Sequence, residues 1–254
     1  MHDHELARSL AQQAGELLLQ VRTDAPGQGL EGKALKDAGD RESHELLMRL
    51  LAQARPEDAV LSEEGKDDHV RLSASRVWIV DPLDGTREFS EVPRDDWAVH
   101  VALWEDGRLV AGAVGRPARG DVLATDAPPQ RPTGRPETIR LAVSRSRPPA
   151  FVTALAEHLG AELVPMGSAG IKATAVLDDT VDAYVHAGGQ YEWDSAAPVA
   201  VAQAAGLHTS RIDGSELEYN RPDPLLPDLL ICRPEIAQDL LRGIADLNHE
   251  DTAS

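Results

Sequence analysis

The chain has 254 residues, room for one large domain or two small ones, and a hydrophobic share of 42%, ordinary for a protein that buries a core. Aromatics make up only 4%, so Leu, Val, Ala and Ile must fill that core. The formal charge of −18 disfavours nucleic-acid binding, which needs a basic face, and there is no 18-residue apolar run to cross a membrane.

The chain opens Met1-His2-Asp3-His4-Glu5, without a basic stretch leading into an apolar run, which argues against a secretory leader. Leu6, Leu10, Ala14, Leu17, Leu18 and Val21 then recur at spacings of three and four and predict an amphipathic helix over 5–21. Residues 22–39, rich in Gly, Pro, Asp and Lys, predict a loop or short hairpin. Asp40 is placed to cap a second helix that carries Leu46, Leu47, Leu50 and Leu51 on one face. Ala59-Val60-Leu61 and Val77-Trp78-Ile79-Val80 read as short strands, the latter ending at Pro82. The runs 97–104 and 109–114 form a hairpin across Asp106-Gly107, with His100 on a strand face in a structural position. Residues 126–137 hold four prolines and a glycine, which predicts a hinge between an N-terminal part, 1–130, and a C-terminal part, 137–254. Beyond it, strands over 139–143, 162–165, 181–185 and 229–232 alternate with helices over 149–159, 169–177, 195–205 and 236–247. The pattern predicts an α/β or layered α+β fold. The single cysteine, Cys232, lies in an apolar run and reads as a buried small hydrophobe, consistent with a reducing cytoplasm.

Chemistry concentrates where the apolar strand 77–80 runs into Asp81-Pro82-Leu83-Asp84-Gly85-Thr86. Two carboxylates and the Leu83 carbonyl on a sharp bend are the oxygen ligands that a hard cation prefers. Taken alone, the segment reads equally well as a strand-ending turn, since Asp, Pro and Gly are all turn residues. Glu63 and Glu64 follow another short strand 18 residues upstream of Asp81, and Asp194 opens an Ala-rich helix. Each has an ordinary reading, a solvated acidic loop and a helix cap. Together they offer carboxylates at three separate element ends, and cations held there would invert an acidic field and attract anionic substrates. The Gly85–Thr86 helix start offers N–H groups to a phosphate. Gly167-Ser168-Ala169-Gly170 does likewise or is a plain loop. Lys172, Arg145 and Arg147 are candidate partners for a second phosphate. Tyr184 and His186, before Gly188-Gly189, wall an adenine pocket or simply pack.

The strings Ser62-Glu63-Glu64, Trp78 through Thr86, and Trp193-Asp194-Ser195-Ala196-Ala197, in this order and at these spacings, resemble the inositol monophosphatase superfamily of metal-dependent, lithium-sensitive phosphatases. Leu83, the continuation Thr86-Arg87-Glu88-Phe89, Glu192-Trp193-Asp194 and the stretch from Gly214 to Asn220 are most similar to its 3′(2′),5′-bisphosphate nucleotidase branch of CysQ type. One stretch departs from the pattern. Where the family often has Pro-Val-Thr before the residues leading to the aspartate, this chain reads Leu35-Lys36-Asp37-Ala38-Gly39-Asp40, so only Asp40 matches.

The resemblance implies an αβαβα sandwich of the sugar-phosphatase type and two or three Mg²⁺ per site. Glu63, Asp81 and the Leu83 carbonyl would hold one cation, Asp81, Asp84 and Asp194 a second, and Asp40 a looser third. Glu63, Thr86, Asp81 and Asp84 would be catalytic, with Thr86 and Glu63 activating the attacking water. Leu83, Asp84, Gly85, Thr86, Ser168, Lys172, Arg147 and Asp194 would contact the substrate. The implied reaction is hydrolysis of the 3′-phosphate of 3′-phosphoadenosine 5′-phosphate, or of its 5′-phosphosulfate, in cytoplasmic sulfur assimilation. An inositol-1-phosphate or fructose-1,6-bisphosphate phosphatase, and a non-catalytic acidic metal-binding protein, are the alternatives. The partner implied is a small phosphorylated nucleotide, with no nucleic acid and no membrane, and a homodimer stays open.

Overall fold

The structure, a computed structural model, describes residues 1–67 and 69–252. Helices α1 (Asp3–Gln28) and α2 (Gly32–Ala54) are joined by three residues only. The expected loop over 22–39 is therefore wrong, and so is the cap assigned to Asp40, which lies inside α2 while Glu31 occupies the N-cap. The reason is tertiary. Ala25, Leu35 and Ala38 are buried in the helix–sheet core, and that burial outweighs the local cost of Pro26 and the glycines. Pro26 falls in the last turn of α1, and Gly29 at φ 67° closes it, its N–H directed at the Ala25 and Pro26 carbonyls.

Five strands follow: β1 (Ala59–Ser62), β2 (Arg76–Asp84), β3 (Ala98–Glu105), β4 (Arg108–Arg116) and β5 (Asp121–Ala124), the last unexpected from sequence. They form one sheet in the order β1-β2-β3-β4-β5, parallel between β1 and β2 and antiparallel elsewhere. The β3–β4 hairpin turns through Asp106 at φ 45° and Gly107 at φ 91°, a turn that suits the strand twist. Pro82 does not end β2 as expected. Asp81 pairs opposite His100 and Asp84 opposite Ala98, so Pro82 and Leu83 bulge out of register. Pro82 lacks the N–H to continue the ladder, and the Ser43 hydroxyl donates to its carbonyl at 2.7 Å, holding the bulge.

After the short α3 (Thr86–Ser90), the second half contributes β6 (Arg140–Ser144), α4 (Ala150–Leu159), β7 (Glu162–Met166), α5 (Ala169–Thr174), β8 (Ala183–Tyr191), α6 (Glu192–Ala204), β9 (His208–Ser210), β10 (Leu225–Cys232) and α7 (Ala237–Thr252). The second sheet runs β7-β6-β8-β10-β9. Gly188 and Gly189 belong to β8 rather than to a free loop, since Gln190 and Tyr191 still pair with β10.

Five layers pack around three cores, the middle one enclosing the central helices. Helices α1 and α2 cover one face of the first sheet; α5 and α6 lie between the sheets; α4 and α7 cover the far face of the second. This is the αβαβα sandwich. The central layer is tight. A Cβ on Gly112 of β4 would stand 2.6 Å from the Ala200 Cβ of α6, so a glycine lets α6 approach the sheet. That approach carries the N-terminus of α6 to the end of β2. Cys232 is buried, as expected, and no helix among the described residues is long and apolar enough to cross a membrane.

Candidate active site

The bulge at the end of β2 sends two carboxylates inward. Asp81 is 1% exposed, and its Oδ1 accepts the Leu83 N–H at 3.0 Å, which fixes the side chain against the bend. Asp84 is met by the start of α5: the Ser168 hydroxyl donates to Oδ2, the Gly170 N–H to Oδ2 at 2.7 Å, and the Ala169 N–H to Oδ1 at 3.1 Å. Ser168 makes this approach at φ 53°, a conformation that a side chain rarely adopts. Asp194 is the third residue of α6, and its carboxylate accepts the N–H of the N-cap residue Tyr191 at 2.7 Å. It caps from inside the helix, not from the position before it. One carboxylate oxygen from each of Asp81, Asp84 and Asp194 lies within 4.8 Å of the others. Glu63 follows β1, tied to β2 by its N–H to the Val80 carbonyl, and its carboxyl is turned to Asp81.

The charges of this group are poorly balanced. Burial, with the charges of Glu63, Asp84 and Asp194, pushes Asp81 well above the usual carboxylate range. Burial and the Asp194 charge raise Glu63 to about 7. Burial and the Asp84 charge raise Asp194 to about 6. Asp84 goes the other way: burial alone would raise it, but the His100 charge, hydrogen bonds from His100 and Ser168, and the Lys172 charge hold it below its ordinary value. The nearby protein cations thus compensate one carboxylate and leave three in mutual repulsion. An oxygen-only donor set with surplus negative charge fits a hard divalent cation. Among the described residues Asp40 is not part of the three-carboxylate group. It is raised to about 7 by burial and by the charges of Glu64 and Asp37.

His100 is the residue that sequence reasoning missed. It is fully buried on β3, with Nδ1 3.0 Å from the Trp193 carbonyl and Nε2 3.2 Å from Asp84 Oδ2. The Nε2 contact is an ion pair too bent for a good hydrogen bond. Burial alone would lower the His100 pKa, but the Asp84 charge and the contact with it hold the ring above its ordinary value. The sequence signal was a lone polar residue in an otherwise apolar strand, and only the register shows that it lies beside β2 at Asp81.

The carboxylates floor a cleft of about 240 Å³ whose lining includes Thr86, Arg147, Ser168 and Lys172. Thr86, half-buried, is the first residue of α3, and Gly85 before it turns at φ 86°. A second cleft, of about 380 Å³, shares Ser144, Arg147 and Lys172 with the first and continues past Tyr184, His186 and Gln190. Lys172 is 8% exposed, its Nζ stands 5.4 Å from the Tyr184 ring centre, and burial lowers its pKa. His186 closes the Gly189 turn through its Nε2 at 3.1 Å, and burial keeps its ring neutral-leaning. Arg145, a candidate for phosphate contact, is instead held at 2.6 Å by both Glu88 and Glu91. Among the described residues Arg147 makes no side-chain ion pair, and it borders both clefts.

The family model of the inositol monophosphatase family matches residues 3–247. The chain is 54% identical, over 92% of its length and 90% of the relative's, to a 3′-phosphoadenosine 5′-phosphate phosphatase of Mycobacterium tuberculosis. Among solved structures, it is similar to CysQ from Bacteroides thetaiotaomicron at 26% identity and a TM-score of 0.73, over 88% of this chain and 94% of that one. It also shares the fold of inositol monophosphatase II from Staphylococcus aureus at 19% identity and a TM-score of 0.79, over 96% of this chain and 94% of that one.

Proposed function

The chain belongs to the inositol monophosphatase family and is a phosphatase of it, and we propose that it hydrolyses the 3′-phosphate of 3′-phosphoadenosine 5′-phosphate to release AMP and phosphate. The observation that supports this substrate is the 54% identity to a phosphatase of that name, over 92% of the chain. The two adjoining clefts agree with it: one is floored by carboxylates, and the other, of about 380 Å³, is bordered by Arg147 and Lys172 for a second phosphate. The corresponding 5′-phosphosulfate belongs to the same proposal. So do the lithium sensitivity, the place in sulfur assimilation and the cytoplasmic setting that the resemblance implies.

In this reading, residues 1–130 supply most of the site and residues 137–254 complete it. Glu63, Asp81, Asp84, Asp194 and the Leu83 carbonyl would hold Mg²⁺, with Asp40 at a looser third position. Bound cations would supply the positive charge that offsets phosphate and leaving oxygen and would make water more acidic. The protein's part is to place and to move a proton. Thr86 and Glu63 would together orient the attacking water and take up its proton. The backbone at Gly85 and Thr86 turns the phosphate for in-line attack, so that the bond from phosphorus to the 3′ oxygen breaks opposite the entering oxygen. Ser168 holds Asp84, and Lys172 and Arg147 face the 5′-phosphate.

Phosphate release measured with Mg²⁺ tests the substrate. The expected result is a kcat/KM for 3′-phosphoadenosine 5′-phosphate at least about tenfold, or 1.4 kcal/mol, above those for inositol 1-phosphate and fructose 1,6-bisphosphate. A dominant preference for either alternative refutes the nucleotide assignment. A second prediction concerns Arg147. Replacing it with alanine raises KM for the bisphosphate about tenfold while leaving that for 3′-AMP, which lacks the 5′-phosphate, within about twofold. Equal losses on both substrates would remove Arg147 from the 5′-phosphate.

A further inference from the structure

Asp84 receives three hydrogen bonds among the described residues and an ion-pair contact from His100. The Ser168 hydroxyl and the Gly170 N–H both donate to Oδ2, with His100 Nε2 beside it at 3.2 Å, and the Ala169 N–H alone reaches Oδ1. Each carboxylate oxygen has about two lone-pair sites. Oδ2 is therefore filled, and Oδ1 has room for one more partner. The other ring nitrogen of His100 meets the carbonyl of Trp193, the residue just before Asp194. One side chain thus touches the β2 carboxylate and the first turn of the helix that carries the α6 carboxylate.

We infer that His100 is a positioning residue for the cation site, bridging Asp84 to the Trp193 carbonyl so that Oδ1 of Asp84 is left for a cation and the spacing of Asp84 and Asp194 is set. This inference rests on the metal reading of the site given above. The packing has been shaped around the ring. A Cβ at Gly170 would stand 2.1 Å from His100 Nε2, so position 170 carries no side chain and the imidazole fills its place. Since His100 lies on β3 in the first sheet and Gly170 on α5 in the central layer, the bridge also registers one layer against the next. Groups that orient metal ligands from behind typically change metal affinity by 10–100-fold when removed.

The test uses two replacements that each keep one donor. An Asn amide reaches as Nδ1 does, and a Gln amide as Nε2 does. Ca²⁺, titrated against the thermal midpoint of the full-length protein, reports binding without turnover, and Mg²⁺-dependent phosphate release is followed in parallel. The expected result is that His100→Asn needs about tenfold or more Ca²⁺ for the half-maximal shift. His100→Gln, which keeps the contact with Asp84 but loses the one with the Trp193 carbonyl, falls between wild type and His100→Asn. Gly170→Ala, which pushes the ring off Asp84 while leaving the histidine in place, moves with His100→Asn. The Mg²⁺ concentration for half-maximal rate rises in the same variants, with the KM for the nucleotide changed less than threefold. If His100→Asn does not fold, Gly170→Ala and His100→Gln decide. Wild-type Ca²⁺ midpoints in His100→Asn, or in Gly170→Ala, overturn the inference while the metal reading stands. No cation-dependent shift in the wild-type protein overturns the metal reading and this inference with it.

Discussion

Asp81→Asn is expected to lose on the order of 10³-fold or more in kcat while the protein stays folded. Asp81 is the buried hub of the carboxylate group: its pKa is raised by burial and then by Glu63, Asp84 and Asp194 in turn. In the proposed arrangement it is shared between two cations, so a neutral amide weakens both at once. The inertness of phosphate monoesters leaves catalysis almost wholly to charge and position, so this loss falls directly on the rate. The fold has little reason to suffer. Asparagine has nearly the same shape, and its carbonyl can still accept the Leu83 N–H. Without cations, the change also removes a charge that the site repels. The thermal midpoint of the cation-free variant should therefore equal or exceed that of the wild type. A folded variant turning over near the wild-type rate would end the assignment of this site.

Chelating divalent cations should reduce turnover to background, and should destabilise the protein by an amount that grows with pH. The sign follows from three carboxylates whose folded pKa values lie above their ordinary ones. These are Glu63 at about 7, Asp194 at about 6 and Asp81 in the same direction. Well below pH 4 all three are protonated in both the folded and unfolded chains, so they impose no penalty. Between about pH 4 and 7 the unfolded chain releases these protons while the folded chain retains them, and stability falls until the folded groups have ionised. A cation takes the place of the retained protons. The gap between thermal midpoints in Mg²⁺ and in chelator should therefore be narrow at pH 5 and wide at pH 8. His186 and His208, lowered by burial, act in the opposite direction, adding stability as pH rises through the ordinary histidine range. They lie outside the carboxylate group, so their contribution is common to both conditions and cancels in the gap. Unchanged turnover in chelator, or a gap that is flat or shrinks with rising pH, would contradict the cation reading.

Local signals carried far in this chain. The three- and four-residue apolar spacing located α1, the Asp106-Gly107 pair located the β3–β4 hairpin, and apolar runs located most strands, because each depends on residues within a few positions. The carboxylates were legible for the same reason. Asp81 and Asp84 lie at the end of a strand, Asp194 opens a helix, and element ends are where side chains can converge. Local reading failed where burial decided. Residues 22–39 have loop composition but form two helix segments, since Ala25, Leu35 and Ala38 are buried in the core. Pro82 predicts a strand end, yet β2 bulges and resumes at Asp84, and Ser43, 39 residues away, holds the bend.

The end of β2 shows the division. Strand propensity, Pro82 and Gly85 are local properties, so an apolar strand running into two aspartates on a bend is readable from the residues alone. Only the tertiary contacts fill one Asp84 oxygen from Ser168 and Gly170, set His100 beside it and bring Asp194 within 4.8 Å. It also gave Arg145 to Glu88 and Glu91 and left Arg147 at the border of two clefts. Those partners lie tens of residues apart in the chain. Strand register and the close approach of α6 to the sheet bring them together, and no periodicity in the sequence encodes either.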